Sequence, residues 1–473
     1  MSTWEEGVSS TAALSFRGFI GPKQWIGLTC GERKRHDLHM QRLWIIVILC
    51  SLSNACTGDF IPGADGNVLF DAIGTGDSGG TNINRPSCPG QETTITGTVY
   101  APNGVDPVPG ATVFVPAKVP ELFPPEVKCE ACASLGSSYN FWTTTSLYDG
   151  TFSLEGVCPG QRPLLLQNGR FRRFLRLEVP ANTTMPLGAD KTRLPRRSAE
   201  FDAIDAIPKI AVATGDYDKM ECVLNKIGLE TGQFDLYEAA TFIRKSPAIV
   251  HSFDELVRDL AKMKTYNIIF INCTTNTYEN LLHEDAIKQN LQTYVNEGGR
   301  LYVTDWSYDW IEQVAGFAPF IDFEPGVSGT TSEGLNEAAL GKDGLQVQAT
   351  IKDKRMAQWL GGIPGTISGD NVLVEHFLTS WVMMFRSSVD TKLWVEGTVS
   401  SEDGKIRGVR PLTVTFNFKD CGKILFTSYH TEGREEDPFN PVFPNYCGFG
   451  FSPQDRILEY LIFDIANCVG PVL

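Results

Sequence analysis

The sequence predicts a multidomain protein: an N-terminal all-β sandwich, then an α/β domain built on a parallel sheet and carrying a β-rich insertion. Three observations point there. Between Glu92 and Pro180, short alternating runs are separated by Gly and Pro, as in a small sandwich. After Pro208, continuous apolar runs alternate with segments of helical spacing, as in a parallel sheet covered on both faces. Within that second part, GGRLYVTDWSYDW (Gly298–Trp310) reads as a helix stop, a buried strand and a turn crowded with polar and aromatic residues. Ligands of open parallel sheets bind outside the carboxyl ends of the strands.

The chain has 473 residues, long enough for two or three domains, and a formal net charge of −15. An acidic balance argues against a nucleic-acid partner, which needs a basic face. It leaves room for cation sites. Residues 1–39 carry Arg33-Lys34-Arg35 and no apolar period; they read as an upstream extension, with Met40 as the natural start. Residues 40–55 read as a secretory signal: Arg42, an apolar core from Leu43 to Leu49, then Leu52-Ser53-Asn54-Ala55-Cys56. The apolar core falls short of the ~20 residues of a spanning helix. The run into Cys56 resembles a bacterial lipoprotein signal, although Leu52 sits one place early and Ser53 takes the usual Leu position. That resemblance implies lipidation at Cys56, attachment to a membrane through that anchor, and a location on a bacterial outer membrane or cell surface. Residues 56–91, rich in Gly, Asp and Asn, read as a tether. Twelve cysteines agree with an oxidising compartment.

In the first domain (residues 92–180), Thr94–Tyr100 and Ala111–Val115 read as strands, Tyr148-Asp149-Gly150 as a turn, and Arg162–Glu178 as a hairpin folded at Asn168-Gly169. The stretches ITGTVYAPNGVDPVPGATVFV and LYDGTFSLEGVCPG resemble the carboxypeptidase regulatory-like (transthyretin-like) domain. The resemblance implies a seven-stranded accessory sandwich without chemistry of its own. Cys88, Cys129, Cys132 and Cys158 offer either a zinc set or two disulfides; export favours disulfides, whose connectivity spacing leaves open. Residues 181–207, locally basic, read as a solvated linker.

In the second domain (residues 208–473), Lys209–Ala213, Phe234–Tyr237, Asn267–Asn272, Leu301–Val303 and Lys423–Ser428 read as strands. Asp218–Ile227, a segment from Ser252 to about Lys264, and Glu284–Asn296 read as helices. Ser252 and Glu255 suggest a capping box. Ser452 and Pro453 open a last helix running to about Asn467. Residues 318–422 interrupt the alternation as a β-rich insertion or antiparallel extension. A strand followed by an antiparallel helix brings Cys421 near Cys468, which predicts a disulfide between them; Cys222 and Cys273 form a weaker candidate pair.

The stretch KILFTSYHTEG (Lys423–Gly433) places His430 and Glu432 after a late strand. Here the domain resembles the class I glutamine amidotransferase-like fold, a flavodoxin-like α/β sheet, including trehalose-utilisation-like relatives. In that superfamily a His-x-Glu orients a cysteine on a sharp turn. The turn here is Thr304-Asp305-Trp306-Ser307-Tyr308, without cysteine and with bulky neighbours, whereas a nucleophile elbow needs small ones. Two readings follow. In one, the domain is a non-catalytic binder of an envelope ligand or protein partner, with Asp216, Tyr217, Asp305, Trp306 and Tyr308 lining the crevice. In the other, Ser307, His430 and Glu432 form a hydrolase triad acting on an envelope amide or carbohydrate. Asp216, Asp305 and Glu432 should converge at one sheet edge, where Ca²⁺ or another divalent cation would relieve their repulsion. The bland alternative is a solvated acidic rim.

Overall fold

Alternating burial builds the first part of the chain. In the computed structural model, which describes residues 85–129, 140–239, 249–274, 278–324, 334–375, 377, 380–431, 443–448 and 450–467, that part comprises β1 (Thr93–Thr98), β2 (Thr112–Pro116), β3 (Asn140–Thr145), β4 (Thr151–Val157), β5 (Gly160–Asn168), β6 (Phe171–Val179) and β7 (Thr184–Pro186). They form sheets ordered β4-β1-β7 and β3-β2-β5-β6. In β4, Phe152, Leu154 and Val157 are buried while Ser153 and Glu155 are exposed, the period of a strand with one dry face. Ile95 and Leu154 from one sheet meet Val113, Leu164 and Leu166 from the other in a common core. The hairpin turns where expected. Gly169 at its tip has φ +54°, and a Cβ there would lie 1.7 Å from the Ala466 carbonyl oxygen, so only glycine lets the tip approach the end of the last helix.

Residues 181–207, expected as a solvated linker, are exposed over much of their length but are anchored on the sandwich. They supply β7 and α1 (Ala189–Thr192), and Leu194 is fully buried. The reason lies in two arginines of the preceding strand β6. Arg172 donates to the carbonyls of Ile204 and Glu121, and Arg173 to those of Arg193 and Asp190. A guanidinium carries five donors in a fixed fork, so these side chains staple otherwise unpaired backbone onto the sandwich. Asp205 completes the attachment by accepting from the backbone N–H groups of Phe174 and Phe201.

The second part begins with β8 (Ile210–Ala213), α2 (Met220–Lys226), β9 (Asp235–Glu238), β10 (Ile249–Ser252), α3 (Phe253–Arg258), α4 (Leu260–Lys264), β11 (Ile268–Ile271), α5 (Glu279–Leu282), α6 (Asp285–Asn296), β12 (Arg300–Thr304) and α7 (Asp309–Glu312). Then follow β13 (Ile321–Asp322), β14 (Leu340–Gly341), β15 (Val347–Ile351), α8 (Lys354–Gly361), β16 (Ile367–Ser368), β17 (Asn371–Val374), β18 (Trp381–Val382), β19 (Arg386–Ser387), β20 (Thr391–Ser400), β21 (Arg407–Phe418), β22 (Gly422–Thr427) and α9 (Pro453–Ala466). Eleven strands share one mixed sheet, ordered β10-β9-β8-β11-β12-β22-β21-β20-β15-β17-β16. The strands from β10 to β22 in that order pair in parallel. Every residue of β8, β11, β12 and β22 is buried, as the apolar runs foretold. The order is not the flavodoxin one of second, first, third, fourth, fifth: β9 and β10 lie on one side of β8, and β11 on the other. The insertion is not a separate body. Its β21, β20, β15, β17 and β16 extend the sheet antiparallel from β22, covering an edge that would otherwise expose unpaired backbone.

The helix signals held unevenly. Ser452 caps α9 in a full capping box with Asp455 and Pro453 in the first turn. Ser252 makes no side-chain cap, and the single expected helix breaks at Asp259, whose carboxylate re-caps α4 through the Lys262 N–H. Sandwich and α/β sheet belong to one compact unit, residues 77–473. The Trp359 indole donates to the Pro107 carbonyl at 2.7 Å. Arg456 bridges Asp106 of the sandwich (2.8 Å) and the buried Glu459 (2.6 Å).

The cysteine pairing corrects the expectation. Cys88 pairs with Cys158, Cys222 with Cys447, and Cys421 with Cys129 of the sandwich, with Cα atoms 5.7, 5.3 and 4.8 Å apart. Cys273 is free. Close packing of the sandwich against the sheet, which local strand–helix geometry does not reveal, brings Cys129 to Cys421. Cys132 and Cys468 lie outside the described residues, as do Cys56 and the signal segment. Peptide mapping without reduction should return linked peptides for Cys129–Cys421 and Cys222–Cys447; a Cys421–Cys468 peptide would contradict this arrangement.

Candidate functional site

The parallel ladder fixes which residues meet at the carboxyl edge. Ile271 is level with Val303, and Thr304 with Thr427. Two residues past those levels stand Cys273 and Asp305, and three past Thr427 stands His430. Their ligand atoms lie within 4.8 Å of one another. All three are shielded from solvent, with exposures of 0%, 0% and 2%.

Asp305 is the pivot. It is a non-glycine residue with φ +43°, a conformation that costs free energy and persists where its surroundings over-determine it. Its Oδ1 accepts from the Val382 N–H at 2.5 Å. Its Oδ2 lies 3.0 Å from His430 Nε2 and 3.8 Å from Cys273 Sγ. Cys273 is held in turn by its own N–H, which donates to Thr304 Oγ1 at 2.8 Å. Burial opposes charge on the imidazole, but the Asp305 carboxylate outweighs it, and His430 titrates above its ordinary value. Burial, reinforced by Asp305, pushes the Cys273 thiol well up. A thiol held in that form is a poor nucleophile.

Asp218 lies at the same edge, after β8, fully buried. Its Oδ1 accepts from the N–H groups of Lys219 (2.9 Å) and Thr431 (3.1 Å) and from Thr431 Oγ1 (2.7 Å). Burial raises its pKa, against the pull of His430 and Thr431. Beside it, Glu221 accepts from Tyr446 OH and Asn272 Nδ2. Gly215 makes the close approach of the two turns possible: a Cβ there would sit 2.2 Å from the Cys273 carbonyl oxygen.

The expected site residues divide. Ser307 does not face the imidazole: its hydroxyl donates to the Asn272 carbonyl at 2.8 Å, and Asp305 is the group facing His430. Glu432 lies outside the described residues. Asp216, half-buried, accepts from Thr274 Oγ1 and does not join the Cys273–Asp305–His430 group. The acidic convergence of Asp216 and Asp305 is therefore replaced by a mixed thiol, carboxylate and imidazole centre. The aromatic lining divides as well. Tyr217 is exposed and Trp306 half-buried. Tyr308 is a core residue, with its ring 5.0 Å from that of Phe323 and its hydroxyl accepting from the Ala338 N–H.

A separate small cavity of about 250 Å³ opens beyond β9 and β10, lined by Glu238, Ser252, Asp254 and Tyr278 among others. Cys273 follows β11, a different strand from the Thr304–Tyr308 turn, so nothing in the local sequence links it to Asp305. Parallel register was the signal that joined it to Asp305. A comparison with known protein families finds no match, and no curated protein matches the chain.

Asp309, at the start of α7, gives a titration test. Burial raises its pKa from 3.8 to about 6, against the Asn336 N–H that its Oδ2 accepts. A carboxyl with a raised folded-state pKa favours folding while protonated, so its contribution is lost as pH rises from about 3.8 to about 6. Asp309→Asn keeps an acceptor for Asn336. Denaturant unfolding should show it more stable than wild type by about 1–3 kcal/mol at pH 7, with the gain vanishing near the unfolded-state pKa. A variant less stable at pH 7, or a gain independent of pH, would contradict this.

Proposed function

We propose that the chain is an exported, lipid-anchored envelope protein whose α/β domain binds a ligand or partner without covalent catalysis. The observation that carries the reading is the turn after β12. Its elbow position holds Asp305, engaged by Val382 and His430, and the nearby Ser307 hydroxyl is committed to a backbone carbonyl. A serine nucleophile needs a base within hydrogen-bond reach, and here the imidazole faces a carboxylate. Paired cysteines support an oxidising compartment. The resemblance to a carboxypeptidase regulatory-like module supports a spacer role for the sandwich. The amidotransferase-like resemblance supports a fold whose binding edge has outlived its nucleophile. Ligand access fits the rim around Asp216, Tyr217 and Trp306 better than the closed centre beneath it.

The test joins location and chemistry. Full chain expressed in a bacterial host should incorporate labelled palmitate and fractionate with membranes, and Cys56→Ser should lose both properties. A fluorophosphonate probe should leave Ser307 unmodified. Unlabelled soluble wild-type protein would overturn the anchor. A Ser307 adduct that His430→Ala abolishes would overturn the binding reading in favour of a hydrolase.

A further inference from the structure

Six of the described cysteines are paired, and Cys273 is the one that is not. It sits against the two other side chains best suited to share a metal ion. We propose that Cys273, Asp305 and His430 bind one zinc-class divalent ion that ties together the ends of β11, β12 and β22.

The spacing fits. Two ligands at about 2.0 Å from zinc on adjacent corners of a tetrahedron lie about 3.3 Å apart, and a thiolate at about 2.3 Å lies slightly farther from an oxygen. The separations here are 3.0 Å from imidazole to carboxylate and 3.8 Å from sulfur to carboxylate. The second observation comes from His430. Neither ring nitrogen has a hydrogen-bond partner although the side chain is 98% buried; its contact with Asp305 is close but poorly directed. Such a group is costly in a dry interior unless something else satisfies it. An ion between the three side chains gives one nitrogen a ligand bond. The same ion offsets the buried carboxylate and takes up the thiolate.

The supporting contacts also suit an ion. Val382 N–H fixes the far oxygen of Asp305, leaving Oδ2 for the ion, and such outer contacts orient metal ligands. A water would take the fourth position. The donor set selects the metal. Sulfur with imidazole favours zinc, whereas calcium takes oxygen ligands alone. Binding displaces the Cys273 proton, which leaves to solvent. The role is structural, since no ligand atom reaches the surface, and it stands independently of whether the rim above binds a partner.

The experiment uses full chain, purified without reductant so that the disulfides stay closed. After zinc loading and dialysis, elemental analysis should find one equivalent per chain, and X-ray absorption should show one sulfur in the zinc shell. Cobalt substitution should give a thiolate charge-transfer band. Cys273→Ser should lose that band, and His430→Gln should weaken zinc affinity by more than the roughly 10–100-fold typical of losing a supporting contact. Calcium should produce no change. If a variant fails to fold, the wild-type stoichiometry and sulfur count decide. Substoichiometric zinc, a shell without sulfur, or a band retained in Cys273→Ser would overturn the proposal.

Discussion

One buried carboxylate organises the far edge of the sheet. Asp305 stands where β12 ends, in a backbone conformation that few side chains tolerate. It touches groups from three other segments: Cys273 after β11, His430 after β22, and the Val382 N–H of the inserted region. An isolated buried carboxylate is expensive, so its partners must be fixed before it is tolerable. Much of the surrounding design follows. The parallel ladder sets the levels of Cys273 and Asp305, the Thr304 hydroxyl holds the Cys273 backbone, and the insertion closes over the carboxylate through Val382.

A second charged network secures the sandwich. Arg456 on α9 joins Asp106, in the loop between β1 and β2, to Glu459, which is fully buried. Burial, with Asp106 adding repulsion, holds Glu459 well above the usual carboxylate range. Around this centre lie the Trp359 contact to Pro107 and the hairpin tip at Gly169 against α9. These contacts explain why the sandwich and sheet pack as one unit.

Much of the secondary structure was legible. The apolar runs at β8, β11, β12 and β22 have no polar face to hide, and the Ser452-Pro453 signal acted through the hydrogen bonds it implied. What was not legible depended on long-range packing. Nothing in residues 181–207 announced that Arg172 and Arg173, in the preceding hairpin, would pin them down. Short β10 lay beneath the Ser252 capping signal, and α8 was hidden among glycines. At the site, the edge and two of its residues, Asp305 and His430, could be read from strand ends. The identity of their partner could not. Ser307 was close in sequence and Cys273 remote, yet the register brings the thiol in, and the 3₁₀ turn from Asp305 to Tyr308 aims Ser307 at Asn272.

The most direct test of Asp305 as the organising group compares two substitutions two residues apart in the same 3₁₀ turn. Asp305→Ala leaves His430 buried without its carboxylate and frees the Val382 N–H, and breaking a buried pair in this way costs about 3–5 kcal/mol. Ser307→Ala removes one hydrogen bond to a carbonyl, worth about 1 kcal/mol. Chemical denaturation of both against wild type should therefore show Asp305→Ala destabilised several times more than Ser307→Ala. Equal effects, or an Asp305→Ala protein as stable as wild type, would contradict the account.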